Sequence, residues 1–407
     1  MRIVGMDIHR VAAEVVSLLD GEIINLGRVQ MLREKLEEFA RKELTHDDHV
    51  VIEATGNAAA VVEVLSPYVD RVVIANPKQV HMIAHAKVKT DTIDATVLAK
   101  LYASGFLPEV WVPDPETLAL RRQVTRRTQL VRQRSRLKNL IQSILHAHLI
   151  PSCPHGNLVG ISGRKWLARQ ILPADERAAI ERHLSLIDQI NEALTVVEAD
   201  IAVHALQDQT IRRLMTLPGL DVTVAASVAA AIGDIRRFGD PQRLVAYLGL
   251  NPSVRQSGEG PAYHGRITKQ GRGHARGMLV EAAWAAARSP GPLRAFYQRI
   301  AARRGKHIAA VATARKLAMI IWHMLSKDAY YIWARPALLA RKFRAAELRG
   351  GLPTKHARRG TAYDYNIPVV RAEERSRVEK GEAAYVDLTS RWRTRPKGKR
   401  AVEKIAL

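Results

Sequence analysis

The sequence predicts an α/β amino-terminal block followed by a mainly helical remainder. From residue 2 to the helix that begins at Pro77, short apolar runs and amphipathic stretches follow the order β-β-β-α-β-α-β-α. Stretches of helical periodicity then dominate to about residue 334. Because strands are frequent in the first part and scarce in the second, the chain combines an α/β fold with a mainly α one.

Three strands open the block. Residues 2–8 form the first strand and Val11–Leu19 the second, and both are rich in apolar residues. The dipeptide Asp20-Gly21 separates the second strand from a third, Glu22–Val29, and is a typical hairpin turn. The block therefore begins with a hairpin rather than with a strand, a glycine-rich phosphate loop and a helix, which argues against a doubly wound nucleotide-binding sheet.

Helices and strands alternate in the rest of the block. Leu32, Leu36 and Phe39 recur at helical spacing and predict an amphipathic helix. The remaining predicted elements are that helix over 31–44, a strand over His49–Ala54, a helix over Asn57–Leu65, a strand over Arg71–Ala75 and a helix from Pro77.

Four carboxylates stand at the ends of these elements. Asp7 and Glu53 each end an apolar run, and Asp91 and Asp94 stand three apart where a further helix begins. Residues at i and i+3 share a helix face, so Asp91 and Asp94 can point at one place. The strand ends supply Asp7 and Glu53, so all four acids can meet at one edge of the sheet. Oxygen ligands suit divalent cations, and Mg²⁺ is the usual choice for phosphodiester chemistry at a two-metal site. Acids at strand ends and helix starts are also common without any metal.

Charge and length bound the function. The 407 residues include 63 Lys and Arg against 40 Asp and Glu, which gives a formal net charge of +23. A nucleic acid is the natural partner for such a chain, although a basic composition alone is shared by ribosome-associated factors. Cys153 is the only cysteine, and no apolar run approaches about 18 residues, so we expect a soluble cytoplasmic protein without a membrane segment.

Two long helical arms follow the block. The first covers Pro115–Leu149 and the second Pro173–Gln207, and their apolar stripes predict a coiled-coil pair, with a loop over Pro151–Lys165 between them. Arginines crowd the first arm, and they form either a solvated face or a nucleic-acid contact. The candidate contacts in this arm are Arg126, Arg127 and Arg132.

A second group of motifs lies beyond the arms. Leu214–Leu220 is similar to the turn of a helix-hairpin-helix, where backbone amides approach a phosphate, although an ordinary tight connection has the same sequence. Ser257 stands in a glycine-rich loop, where serine is usually a loop former and only sometimes a nucleophile, and no base to activate it is evident nearby. The cations around it that are candidates for phosphate binding are Arg255, Arg266, Lys269 and Arg276.

The composition changes again near the carboxyl end. Residues 290–326 predict two more helices, and the Lys-, Arg-, Gly- and Pro-rich sequence beyond about Arg335 predicts a largely disordered basic tail. The predicted domains are therefore an α/β block over 1–110, helical arms over 111–208, a serine-bearing domain over 209–334 and a flexible tail over 335–407.

In this order the motifs resemble the DEDD transposases of bacterial insertion sequences, in the family numbered one-ten, whose members are guided by an element-encoded bridge RNA. The resemblance covers roughly residues 1–330 and rests on the four acids, the two arms, Leu-Pro-Gly-Leu, Tyr247-Leu-Gly-Leu-Asn-Pro252 and Ser257-Gly258. It implies a ribonuclease H-like, RuvC-like amino-terminal domain, a coiled-coil region and a transposase domain that carries a serine.

The resemblance also implies a mechanism. Asp7, Glu53, Asp91 and Asp94 would be the metal-binding acids, and Ser257 would attack the DNA backbone to give a covalent phosphoserine while Mg²⁺ ions stabilise the phosphate charge. DNA and a bridge RNA would be the partners. The protein would form a homo-oligomer that is at least a dimer and is a tetramer in the full synapse, and its composite site would join domains of different subunits. The sequence departs from the family in one respect, since a single serine precedes Gly258 where many relatives have two.

Two other functions stay open on the sequence. A RuvC-like nuclease would use the acids to activate water, leave Ser257 structural and release free DNA ends. A non-enzymatic scaffold would bind DNA or RNA through its basic charge and use the acids only to cap helices.

Overall fold

The chain forms two compact units, residues 1–114 and 115–407, each with its own hydrophobic cores. The structure is a computed structural model and describes residues 1–83, 90–258, 260–352 and 367–391.

The first unit contains one mixed sheet with flanking helices. Its elements are β1 (Ile3–Ile8), β2 (Ala12–Leu19), β3 (Glu22–Gln30), α1 (Arg33–Glu43), β4 (His49–Glu53), α2 (Ala58–Leu65), β5 (Arg71–Ala75), α3 (Pro77–Ile83), α4 (Asp91–Ala103) and β6 (Glu109–Val110). The predicted order β-β-β-α-β-α-β-α is the order observed. The predicted hairpin is also present, with Asp20 at φ 51° and Gly21 at φ 89°, the left-handed conformation that a tight two-residue turn requires.

The sheet order places β1 at the centre. The strands are arranged β3-β2-β1-β4-β5-β6, with β1 antiparallel to β2 and parallel to β4. Alternate residues of β1 face opposite sides, so Val4, Met6 and Ile8 join the core under α1 and α2, whereas Ile3 joins the core under α4. This arrangement is consistent with the ribonuclease H-like fold, and it turns Gly5 and Asp7 toward α4.

The second unit is mainly helical. Its elements are α5 (Pro115–Ala147), α6 (Ile161–Ala168), α7 (Ala174–Gln207), α8 (Gln209–Leu214), α9 (Val222–Ile232), α10 (Pro241–Tyr247), β7 (Pro252–Arg255), β8 (Tyr263–Ile267), α11 (Gly273–Arg288), α12 (Pro292–Arg304), α13 (Lys306–Ser326), α14 (Pro336–Arg349) and α15 (Pro368–Ser390). Helices α5 and α7 are the predicted arms, and they pack against each other. The segment expected to be a loop over Pro151–Lys165 differs from the prediction, because α6 begins inside it, at Ile161, and buries Leu167 against the arms.

The arms run in opposite directions. Arg127 near the start of α5 donates to Glu198 near the end of α7. Arg134 lies later in α5 and donates to Asn191, which lies earlier in α7. Their coiled-coil geometry stays a prediction.

The prediction of a largely disordered tail is wrong for the described residues beyond 335, which include α14 and α15. Lys342 of α14 donates from Nζ to the carbonyls of Met215 (2.7 Å) and Leu217 (2.6 Å), and Arg294 of α12 forms a bidentate pair with Glu382 of α15. These long-range bonds hold helices whose composition alone is typical of disorder. The predicted disorder at 353–366 and 392–407 lies outside the described residues.

Helix α13 is the second of the two helices predicted over residues 290–326. Of the helices that the structure describes, it is the one long and apolar enough to cross a membrane by length and composition, with a mean hydropathy of 1.4. Half of that stretch is buried, and Leu317 and Ile321 belong to the core of the second unit. Its packing against α10, α11 and α12 is that of a core helix.

Candidate active site

Asp7 is a buried carboxylate at the end of the central strand. Its side chain is only 10% exposed, and Glu14 of β2 lies directly opposite it in the strand register. Burial raises the pKa of Asp7 above its ordinary value; the nearby His9 opposes this shift, and the charges of Asp94 and Asp91 add to it. Such a carboxylate is costly to keep ionised among other acids, and a bound cation would relieve that cost.

Helix α4 brings its two acids to the same place. Its first turn is capped by Thr90, whose side chain accepts a hydrogen bond from the Ile93 amide, so the helix begins at Asp91. The helix packs across β1 and β2, and a Cβ on Gly5 would lie 2.1 Å from the Ala95 carbonyl oxygen. Glycine at this position therefore allows the close approach that sets the first turn of α4 over the end of β1.

His9 joins two of the acids. Its Nε2 lies 3.2 Å from Asp7 Oδ2 and 3.3 Å from Asp91 Oδ1. One ligand atom from each of the three residues lies within 4.8 Å of the others, which is close enough for a shared cation. The sequence reading missed His9, although its place two residues after Asp7 puts both side chains on one face of an extended chain.

Glu53 lies at the end of β4, the strand beside β1 in the sheet. It follows Ile52, which is paired with Met6 of the parallel neighbour β1, so Glu53 and Asp7 each come directly after the last paired residues of these two strands. Alternation along β4 places it on the side of the sheet that α4 covers, since Ile52 faces the opposite core.

A fifth carboxylate, which the sequence did not indicate, borders this group. Glu14 lies opposite Asp7 and accepts a hydrogen bond of 3.1 Å from the Thr92 hydroxyl in the first turn of α4. Only the strand register reveals it, because Glu14 is seven positions from Asp7 and in a different strand.

Ser257 lies in the second unit. It lies in the connection between β7 and β8, it is exposed, and the following Gly258 has φ 58°. An added Cβ on Gly258 would meet nothing within 4 Å, so this part of the connection stands away from the rest of the unit. The Ser257 side chain is thus exposed to solvent.

The cations proposed for phosphate contact fall into two groups. Those that are exposed are Arg126, Arg132, Arg255, Arg266 and Lys269. Arg127 instead pairs with Glu198, and Arg276 donates to the backbone carbonyls of Leu248 and Lys269. Arg127 and Arg276 therefore stabilise the fold through contacts within the protein.

A further basic cluster surrounds Tyr247. Arg272 donates to its hydroxyl at 2.8 Å, and the Arg237 guanidinium lies 4.3 Å from its ring centroid. Burial alone would raise the pKa of Tyr247, but the charges of Arg272, Arg237 and Arg121 lower it below its ordinary value. Burial also lowers the pKa of Arg121 to about 10. Tyr247, the first residue of the motif Tyr-Leu-Gly-Leu-Asn-Pro, is therefore surrounded by arginine side chains.

Comparison with known proteins adds a family assignment to this geometry. A DEDD family model of the IS110 type, described as "Transposase", matches residues 4–150, and a second, described as "Transposase IS116/IS110/IS902 family", matches residues 211–298. The first match contains all four acids, and the second contains Ser257.

Individual relatives point the same way. The chain is similar to a putative transposase of Sinorhizobium fredii, with 32% identity over 49% of this chain and 48% of the relative. It is also similar to a probable family 20 transposase of Pseudomonas aeruginosa, with 28% identity over 60% of this chain and 74% of the relative. The transposase for insertion sequence element IS1111A of Coxiella burnetii is 26% identical over 60% of this chain and 68% of its own length. The chain thus spans about half of the first relative and roughly two thirds or more of the other two.

Proposed function

This chain belongs to the IS110 family of DEDD transposases, and we propose that it cuts and rejoins DNA strands as the transposase of an insertion sequence. The observation that carries the proposal is the convergence of Asp7, His9 and Asp91 at the end of β1. A site of this composition matches phosphodiester chemistry, and the net charge of +23 favours a polyanionic substrate.

The donor set fits divalent cations. Asp7, Asp91, Asp94 and Glu53 offer carboxylate oxygens, which Mg²⁺ prefers, and we propose that they hold two Mg²⁺ ions. Bound there, the ions would offset the negative charge that develops on a phosphate during strand transfer. His9 touches two of these carboxylates and would fix their orientation, in the way that residues around metal ligands usually do.

Ser257 is the proposed nucleophile. Its Oγ would form a bond to a DNA phosphorus while the bond from that phosphorus to one sugar oxygen breaks, and the serine proton would end on the departing sugar hydroxyl. Attack by the hydroxyl of another strand reverses this exchange and frees the serine. Each bond broken is matched by one formed, so strands rejoin without an external energy source. The exposure of Ser257 supports this role.

The proposal extends to partners. The family resemblance supports a bridge RNA whose pairing with DNA selects the sites, so that the protein reads backbone shape and charge. It also supports a homo-oligomer, a dimer that becomes a tetramer in the synapse, in which the acids of one copy act with Ser257 of another.

The nucleophile is tested by trapping an adduct. Wild-type protein, supplied with element-end DNA and the RNA transcribed beside its gene, should give a labelled protein–DNA band on a denaturing gel. Ser257→Ala should lose that band and keep DNA binding, whereas Ser152→Ala, which alters an exposed serine in the loop before α6, should behave as wild type. An adduct that persists in Ser257→Ala would contradict the assignment, and free ends without any adduct would indicate a water-using nuclease.

The acids are tested separately. Asp7→Asn or Asp94→Asn should remove metal-dependent cleavage, and Asp47→Asn, a change at an exposed acid between α1 and β4, should retain it. Full cleavage in a metal-chelated sample would show that the acids do not act through cations.

A further inference from the structure

A cavity of about 380 Å³ in the second unit lies outside the motifs considered above. Its walls are parts of α12, α13 and α15 and the segment 327–333. The volume falls within the roughly 300–1,000 Å³ that is usual for small-ligand sites. The second family match ends at residue 298, so only the wall from α12 lies within the matched region, whereas α13, the segment 327–333 and α15 lie beyond it.

Aromatic side chains dominate this cavity, which we call the aromatic pocket. They are Phe296, Tyr330, Tyr331, Trp333 and Tyr385. The Trp333 ring lies so close to α15 that a Cβ on Gly381 would be 2.6 Å from it. On the same helix, the Tyr385 hydroxyl accepts a hydrogen bond of 3.2 Å from Arg299. Helix α15 therefore completes the wall through specific contacts.

Cations accompany the rings. Lys316, Lys327 and His323 line the pocket, and Lys316 Nζ lies 5.5 Å from the Phe296 ring centroid. The Arg299 guanidinium lies 5.7 Å from the same centroid. Of the lining residues that the structure describes, none is Asp or Glu. A ligand with a flat ring and a negative charge would satisfy both the rings and the cations.

Exposure indicates that the pocket is a binding surface. Tyr330 is 56% exposed and the neighbouring Ile332 is 77% exposed. An aliphatic protein segment would cover the rings, but it would also desolvate the two lysines without neutralising them. A nucleotide brings a base for the rings and a phosphate for the lysines, which is the usual pattern in single-strand binding.

We propose that the aromatic pocket binds an unpaired nucleotide of DNA, with its base against the rings and its phosphate near Lys316 and Lys327. The base must be unpaired because a base inside a duplex has both faces covered by its neighbours. We take the strand to be DNA because DNA is the strand that the proposed function cuts and exchanges, and the rings and lysines contact its base and phosphate. The inference rests on the proposed function, in which strands are separated while they are exchanged.

The test measures single-strand binding by the full-length protein in the presence of a chelator, so that no cleavage occurs. The probe is a single-stranded DNA that carries one 2-aminopurine, whose fluorescence falls when it stacks on an aromatic ring. Tyr330→Leu and Phe296→Leu should each bind the strand about ten-fold more weakly than wild type and restore fluorescence, because a stacking contact is lost. Phe106→Leu changes a ring in the first unit that is 72% exposed, and it should match wild type.

The outcomes separate the possibilities. Affinity for a duplex of the same sequence should be equal in all four proteins. Unchanged quenching in both pocket variants, or equal losses for duplex and single strand, would overturn the proposal. An RNA strand of the same sequence that binds more tightly and depends on Tyr330 would overturn the choice of DNA. Because cleavage is not measured, failure here leaves the serine-adduct result unaffected, and failure of the adduct test leaves this one unaffected.

Discussion

Gly5 sets how closely α4 approaches β1, and Gly5→Ala should therefore disrupt the acidic site without altering any acid. The new Cβ would lie 2.1 Å from the Ala95 carbonyl oxygen, whereas ordinary contacts begin at 3.4 Å. Helix α4 and β1 must then separate by about 1.3 Å, which is the difference between these two distances. Overpacking of this kind costs about 1–3 kcal/mol of unfolding free energy. It also carries Asp91 and Asp94 away from Asp7.

The measurement pairs stability with metal binding. Denaturant unfolding should show the loss of about 1–3 kcal/mol, and Mn²⁺ titration calorimetry should show affinity reduced by about ten-fold or more. A displacement of about 1 Å at a catalytic group also predicts a loss of about a hundred-fold in cleavage rate. Gly56→Ala is the matched control, because its Cβ would meet nothing within 4 Å. Wild-type Mn²⁺ affinity in Gly5→Ala would refute the reasoning.

Three further changes test other parts of the structure. His9→Ala should weaken Mn²⁺ binding by about ten- to a hundred-fold, measured by the same titration, because Asp7 and Asp91 lose a shared partner; unchanged affinity would remove His9 from the site. Burial lowers the pKa of Lys342 to about 8 from 10.5, so between these pH values the unfolded chain holds a proton that the folded one has released. Stability in urea should therefore rise by about 3 kcal/mol across that window, and Lys342→Met should lose the rise; an equal rise in both proteins would contradict this. Glu382→Gln should weaken the pairing with Arg294 and speed tryptic removal of α15, whereas unchanged proteolysis would show that other contacts hold the helix.

Local patterns predicted the first unit well. The Asp20-Gly21 turn and the alternation of short apolar runs with amphipathic stretches depend on neighbours in sequence, and those signals are sufficient for strands, helices and their order. The strand end at Asp7 and the helix start at Asp91 are also local signals, whereas the meeting of the two side chains requires α4 to pack on β1.

Residues that depend on register or on distant contacts were missed. Glu14 is opposite Asp7 only because β1 and β2 pair with that register, and a lone histidine such as His9 carries no strong signal in one sequence. The role proposed for Ser257 rests on family resemblance, because nothing in its local sequence distinguishes a nucleophile from a loop former.

The carboxyl-terminal helices show the limit of composition. Lys342 lies in a basic sequence that is typical of disorder, yet it donates to the distant Met215 carbonyl, and Glu382 of the same sequence accepts from Arg294 of α12. Part of the Lys342 side chain is exposed while its ammonium group is buried, an arrangement that a count of charges cannot reveal.

The most direct test of the proposed metal site is anomalous diffraction from crystals grown with Mn²⁺ in place of Mg²⁺. We expect an anomalous peak at the end of β1, within about 2.0–2.6 Å of carboxylate oxygens of Asp7 and Asp91, and we expect Asp7→Asn crystals to lose it. A well-ordered wild-type crystal with no peak there, or with peaks only at other acids, would contradict the claim that these side chains share a cation.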